Sequence, residues 1–308
     1  VVDALLHRVE AGRSLRVPGP GVVQEELGVR GEQDAHATTL PAAVVAAPAR
    51  VVAALGRAMI GRRLCSTAMR RLDTLTGGPD RLRIGSWRGD PSVALLSPTP
   101  GRSPTASGLD RALGELARRG YRAVLTPALT QPEQAPFAAA GFTVHERLHL
   151  LRHPLDSVPE PRADGARLRR GRTRDVPHVL EVDGLAFDRF WRFDAPGLAD
   201  ARTATPSARF RVATLDGRVV GYHVTGRAGA LGYLQRLAVH PARHGRGIGT
   251  ALVGDALDWC RRRGATSVLV NTQETNRRAL RLYEQLGFRP EPTGLAVLRR
   301  PLDEGPPG

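Results

Sequence analysis

Apolar residues recur at helical spacing in two stretches of the chain that are built alike. Leu109, Leu113, Leu116 and Ala117 mark one face of a helix that ends on Arg118-Arg119-Gly120 and leads into a strand over residues 121–126. Residues 252–263 repeat the design, ending on Arg262-Arg263-Gly264 before a strand over residues 266–271. Each stretch then predicts a further helix closing on Gly-Phe, at Gly141-Phe142 and Gly287-Phe288. A last strand follows in each, ending in Arg152-His153-Pro154-Leu155 or Arg299-Arg300-Pro301-Leu302. Matched landmarks in one order imply an internal duplication.

Around this repeat the chain divides into residues 1–80, which are hard to read, a first half at 81–155, a Pro- and charge-rich linker at 156–165, a second half at 166–303 and a tail at 304–308. Short helical patterns at residues 1–9 and 51–75 alternate with Pro- and Gly-bearing stretches, so the first 80 residues are expected to be partly helical or disordered. The Ala- and Val-rich segment at 42–60 is broken by Pro48, Arg50 and Arg57, which makes it a poor membrane span, and no export signal is visible.

The net charge of +15 raises nucleic acid as a partner. All 45 basic residues are Arg, however, scattered rather than gathered into a stripe, and aromatic residues make up only 5% of the chain. Coding bias accounts for that pattern better than a nucleic-acid surface does. Cys65 and Cys260 lack metal-ligand or CxxC spacing, so neither a metal site nor a disulfide framework is expected, which fits a reducing cytoplasm.

The chemistry concentrates at residues 232–253, GYLQRLAVHPARHGRGIGTALV. An apolar strand over 233–239 feeds Pro241, a basic Gly-rich loop and an amphipathic helix starting near Gly247. A strand that runs through such a turn into a helix N-terminus aims several backbone N–H groups and the positive end of the helix dipole at one point. That suits a pyrophosphate, with Arg246 adding counter-charge. The GxGxG spacing deep in the domain differs from a dinucleotide fingerprint, and a P-loop needs a lysine that the chain lacks.

Two motifs, LAVHPARHGRGIGTAL and NTQETNRRALRLYEQLGF, resemble motifs A and B of the GNAT superfamily of acyl-CoA N-acyltransferases, over about residues 166–302. The resemblance implies an α/β fold with a mixed sheet, as two tandem acyltransferase-type domains of which the second is complete. It implies acetyl-CoA as co-substrate and a primary amine, of a small molecule or a protein N-terminus, as acceptor. The backbone of Leu237, Ala238 and Val239 would pair with the pantetheine arm. His244, Gly245, Arg246, Gly247, Ile248, Gly249 and Thr250 would hold the pyrophosphate, with the His244 ring N–H standing where the family has Arg or Gln. Asn276 would bind a cofactor amide, and Tyr283 would protonate the departing thiolate.

The strand position where many family members carry a basic Glu is Tyr233, followed by Gln235, which leaves Glu181, Asp183 and His223 as candidate bases. Phe187, Phe190, Trp191 and Phe193 are expected to shape the acceptor site. In the first half, Phe137 aligns with Tyr283 and Pro104 with Gly247, so that copy lacks both the acid and the N–H. A catalytically weak acyl-CoA-binding protein is the second reading of the chain, and a nucleic-acid module the third.

Overall fold

A computed structural model of the chain describes residues 73–75, 82–88, 90–98, 103–160 and 165–302, and the elements below are those among them. The helical patterns at 1–9 and 51–72, the segment at 42–60, Cys65 and the tail lie outside these residues. Asp73–Leu75, expected to close a helix, forms a short strand instead, held by an antiparallel partner.

The first half runs β1 (Asp73–Leu75), β2 (Leu82–Ser86), β3 (Val93–Pro98), α1 (Ala106–Arg118), β4 (Ala123–Leu125), β5 (Leu129–Thr130), α2 (Gln131–Ala139) and β6 (Thr143–His153). The second runs β7 (Arg167–Arg170), α3 (Val176–Ala186), α4 (Ala195–Thr203), β8 (Ser207–Leu215), β9 (Arg218–Ala228), β10 (Leu231–Val239), α5 (Ile248–Arg262), β11 (Ser267–Gln273), α6 (Arg277–Gln285), β12 (Arg289–Pro290) and β13 (Leu295–Pro301). The repeat landmarks have a common physical role. Gly120, Gly141, Gly264 and Gly287 each follow a helix with φ between +77° and +90°, the left-handed conformation that ends a helix and turns the chain back.

Both halves show the same local topology, a strand, a helix and a parallel strand: β3 pairs β4 around α1, and β10 pairs β11 around α5. All the strands join one mixed sheet in the order β1-β2-β3-β4-β13-β6-β11-β10-β9-β8-β7, with β12 on β6 and β5 on β13. The final strands are therefore exchanged. β6, from the first half, pairs antiparallel with β11 from Val268↔His153 to Gln273↔Leu148, while β13, from the second half, pairs with β4 from Arg299↔Leu125 to Pro301↔Ala123.

Packing follows the exchange. Leu151 of β6 is fully buried in the core of the second half with Leu234, Val253, Leu257, Val268 and Tyr283. Leu298 of β13 is buried with Ile84, Leu96, Leu109 and Phe137 of the first half. Sequence divides the halves cleanly, whereas the cores do not. No described helix is long and apolar enough to cross a membrane.

The exchange predicts joint unfolding. Leu151→Ala and Leu298→Ala should each cost about 2–5 kcal/mol, as large-to-small changes in a packed core do, and each should shift a single denaturant transition. Two separate transitions, only one of them moved by either substitution, would show the halves to be independent.

Candidate active site

β10 lies between β9 and β11 but pairs with them to different extents. Its ladder to β9 runs to Val239↔Gly221, with a bulge between Leu234 and Arg236. Its parallel ladder to β11 stops at Tyr233↔Leu269, although β10 continues to Val239 and β11 to Gln273. Beyond Tyr233 the two strands part and leave a wedge edged by backbone N–H and C=O groups of residues 234–239. Such an edge accepts an extended chain of amides as an added strand.

The wedge leads to the loop before α5. Gly245 and Gly247 have φ of +79° and +69°, and Gly247 is the N-cap of α5, with no side chain to satisfy the first-turn N–H groups. Ile248, Gly249 and Thr250 therefore offer their N–H groups at the end of a 15-residue helix whose first turn holds no acidic residue. Arg246 is exposed beside them. A Cβ on Gly249 would come within 3.1 Å of Leu282, so glycine there lets α5 and α6 approach closely.

The first half closes the corresponding helix. Thr105 caps α1, its hydroxyl accepting from the Gly108 N–H at 3.1 Å, directly after Pro104. A side chain of the protein already occupies the place a phosphate oxygen would take.

Asn276 and Tyr283 lie on α6. Asn276 is its N-cap, with Oδ1 accepting from Ala279 N–H at 3.1 Å, so only its amide NH2 is left to meet a ligand carbonyl. Tyr283 is 5% exposed and packs against Phe288, ring centroids 5.4 Å apart. Burial drives its phenol pKa well above the ordinary value, opposed by the positive charge of Arg236, so the hydroxyl keeps its proton.

Two expectations need correction. The His244 ring does not offer an N–H to a phosphate. Nε2 donates to the Val239 carbonyl at 3.0 Å, Nδ1 meets the Arg278 guanidinium, and the backbone N–H is bonded to Pro241. His244 thus ties the end of β10 to α6, and the Val239 carbonyl is not free for a pantetheine amide. Arg278, which the pattern of the sequence did not single out, is held at the loop by the His244 ring.

None of the three candidate bases has the right surroundings. Glu181 is 71% exposed, beside His178. Asp183 is fully buried and saturated: it pairs with Arg236 Nε and Nη2 at 2.7 and 2.8 Å and accepts from Phe193 N–H and the Tyr222 hydroxyl. His223 is fully buried between Asp255 at 3.0 Å and Thr225 at 2.8 Å, and burial holds its pKa below the ordinary value. Asp255 is in turn clamped by Arg209 and Arg211.

The Arg236–Asp183 pair anchors the aromatic residues expected to shape the acceptor site. The guanidinium lies 3.4 Å from the ring centroid of Phe187 and 4.1 Å from that of Phe193, and donates to the Trp191 carbonyl at 2.7 Å. Nearby, both amide atoms of Gln235 are buried with no hydrogen-bond partner. A Cβ on Gly226 would come within 2.2 Å of the Gln235 nitrogen, so glycine there makes room for this side chain.

Residues 176–288, which include β10, the loop and α6, match the acetyltransferase (GNAT) family. A mycothiol acetyltransferase of Thermomonospora curvata is 36% identical over 201 residues, which span 61% of this chain and 67% of that protein. The chain belongs to the GNAT acetyltransferase family. A mycothiol acetyltransferase of Rhodococcus jostii is 32% identical over 54% of this chain, and the alignment spans 60% of that relative. The fold is that of a tandem GNAT protein from the clavulanic acid biosynthesis pathway, with a TM-score of 0.55 at 17% identity over 73% of this chain and 80% of that one. A GNAT protein from Sphaerobacter thermophilus gives a TM-score of 0.53 at 17% identity over 73% of this chain and 78% of its own.

The contrast between the two helix N-termini sets a test. Gly247→Pro removes an N–H and forces a φ near −65° where +69° is required, and should abolish acetyl-CoA binding in calorimetry. Pro104→Gly should change nothing, because Thr105 still caps α1. His244→Arg, which would tighten binding if residue 244 were a phosphate ligand, should instead weaken it by freeing Arg278. Tighter binding would return His244 to the phosphate site.

Proposed function

We propose that this chain transfers the acetyl group of acetyl-CoA to the primary amine of a small molecule by direct attack, in its second half. The observation that carries this reading is the wedge between β10 and β11, which opens beside Leu234 and Val270, packed in one core with Tyr283, and leads to an uncapped helix N-terminus. It matches a long ligand with amides along its length and a pyrophosphate towards one end. The edge of β10 at Leu237 and Ala238 holds the arm. Gly245 to Thr250, Arg246 and Arg278 hold the phosphates, and the Asn276 amide meets a carbonyl of the ligand.

The neutral amine attacks the thioester carbonyl, and the tetrahedral intermediate collapses to the amide, expelling a thiolate. Tyr283 gives its proton to that sulfur and recovers one from the amine by way of solvent, so free thiol and acetylated amine leave in equal number. No side chain is assigned as base. Relatives that are mycothiol acetyltransferases favour a small-molecule acceptor over a protein N-terminus.

Thiol release from acetyl-CoA against a panel of amines tests the reading; tight binding of acetyl-CoA with no release from any amine would favour a binding protein. Tyr283→Phe should lower kcat by about ten- to ten-thousandfold with little change in acetyl-CoA affinity, since only the proton donor is lost. An unchanged kcat removes Tyr283 from the chemistry.

The pH profile has a predicted sign. kcat/KM should rise as the acceptor amine loses its proton and then stay level to about pH 10, because burial keeps the phenol protonated past its ordinary pKa near 10. A falling limb between pH 8 and about 9.5 would mean that the acid is a different, more acidic group.

A further inference from the structure

The first half also reaches the aromatic segment expected to shape the acceptor site. Its β2–β3 turn sets Trp87 and Arg88 against the segment that joins α3 to α4. Trp87 stacks on Phe190 with ring centroids 5.1 Å apart and meets Trp191 edge-on at 6.1 Å. The Arg88 guanidinium lies 4.9, 5.4 and 5.3 Å from the ring centroids of Trp87, Trp191 and Phe193, and donates one hydrogen bond, to the Arg192 carbonyl at 2.8 Å.

Among the described residues no carboxylate lies within ion-pair distance of Arg88. Asp183 is saturated by Arg236, Tyr222 and Phe193, and Asp194 accepts from Gly197 N–H as the cap of α4. The Trp87 indole N–H is buried without an acceptor. Both side chains are donors only. Arg88 also has φ of 45°, in the left-handed region, a strained conformation for a non-glycine residue and one that gathers at ligand-binding positions.

Burial, reinforced by the charge of Arg236, lowers the Arg88 pKa to about 10. Arg88 and Arg236 lie against the same ring, that of Phe193, at 5.3 and 4.1 Å from its centroid, which sets the Arg88 cluster next to the β10 residue that anchors the aromatic segment. An anion bound there would give the Arg88 guanidinium an ionic partner at hydrogen-bond distance, which Asp183 and Asp194 act on only from farther away.

We propose that Trp87 and Arg88 form the far end of the acceptor site and hold an anionic group, carboxylate or phosphate, on the molecule whose amine is acetylated. This rests on the reading of the chain as an amine acetyltransferase and adds the substrate class. It also gives the first half a part in recognition.

The test uses the full chain and acceptor pairs that differ in the anion: phosphoethanolamine against ethanolamine, and β-alanine against aminopropanol. In thiol-release assays the anionic member of at least one pair should have kcat/KM on the order of ten- to a hundredfold above its neutral partner, as charge-assisted hydrogen bonds allow. The pair showing the larger ratio tells phosphate from carboxylate. Arg88→Gln should bring the ratio close to one at wild-type acetyl-CoA affinity, and Arg88→Lys should keep part of it. A ratio of one or less in the wild type, or a ratio that survives Arg88→Gln, overturns the proposal. If Arg88→Gln loses acetyl-CoA binding and so does not fold, Arg88→Lys decides, and an unchanged ratio there overturns it.

Calorimetric titration of phosphoethanolamine and β-alanine into the CoA-saturated protein separates this proposal from the transferase reading. Binding that Arg88→Gln removes supports the anion site even where no amine is turned over, a result that counts against the transferase. Failure of both probes to bind the wild type overturns the anion site, whether or not other amines are acetylated.

Discussion

The parting of β10 from β11 is the constraint on which the rest of the site depends. A strand that leaves its neighbour gives up a row of backbone hydrogen bonds, and buried N–H and C=O groups do not tolerate that without another partner. β11 keeps its place because its opposite edge is paired along Val268–Gln273 by β6, a strand of the other half, while its groups on the wedge side are left for a ligand or solvent to meet. β10 is secured in the same way by β9. The wedge is thus an opening between two strands that are each fixed from behind. The first half thus contributes, through β6, the strand that holds β11 from behind.

The same logic explains why the two copies differ where they do. The helix at the end of the wedge has Gly247 as its cap, in a conformation glycine adopts at little cost, and no side chain meets its first N–H groups. Its counterpart spends a side chain, Thr105, on the same need. Between α3 and α4, the buried Arg236–Asp183 pair fixes the aromatic segment through a guanidinium held between two rings. Breaking one partner of such a pair strands the other as a buried charge, which makes the segment's position strongly determined.

Much of this was legible in the sequence, and for definite reasons. The Gly-rich loop, the helices that end on Gly, and Asn276 and Tyr283 seven residues apart are local patterns that chain geometry converts directly into structure. The strand exchange is not local. Residues 143–153 and 295–301 are apolar strands that suit either slot, and only their packing in three dimensions assigns Leu151 to one core and Leu298 to the other. The Asp183–Arg236 pair spans 53 positions, and nothing in the spacing of the chain announces it. His244 was read by its place in the motif, yet its ring answers to the Val239 carbonyl and to Arg278 on a different helix. Trp87 and Arg88 lay in a half that its loop sequence had marked as inactive.

Hydrogen–deuterium exchange with and without acetyl-CoA reports directly on the N–H groups that edge the wedge and open α5. New protection is expected only at the β10 edge, residues 234–239, and at the start of α5, residues 247–250, with one acetyl-CoA bound per chain. Protection at β3 and the start of α1, or binding of two acetyl-CoA per chain, would contradict that expectation.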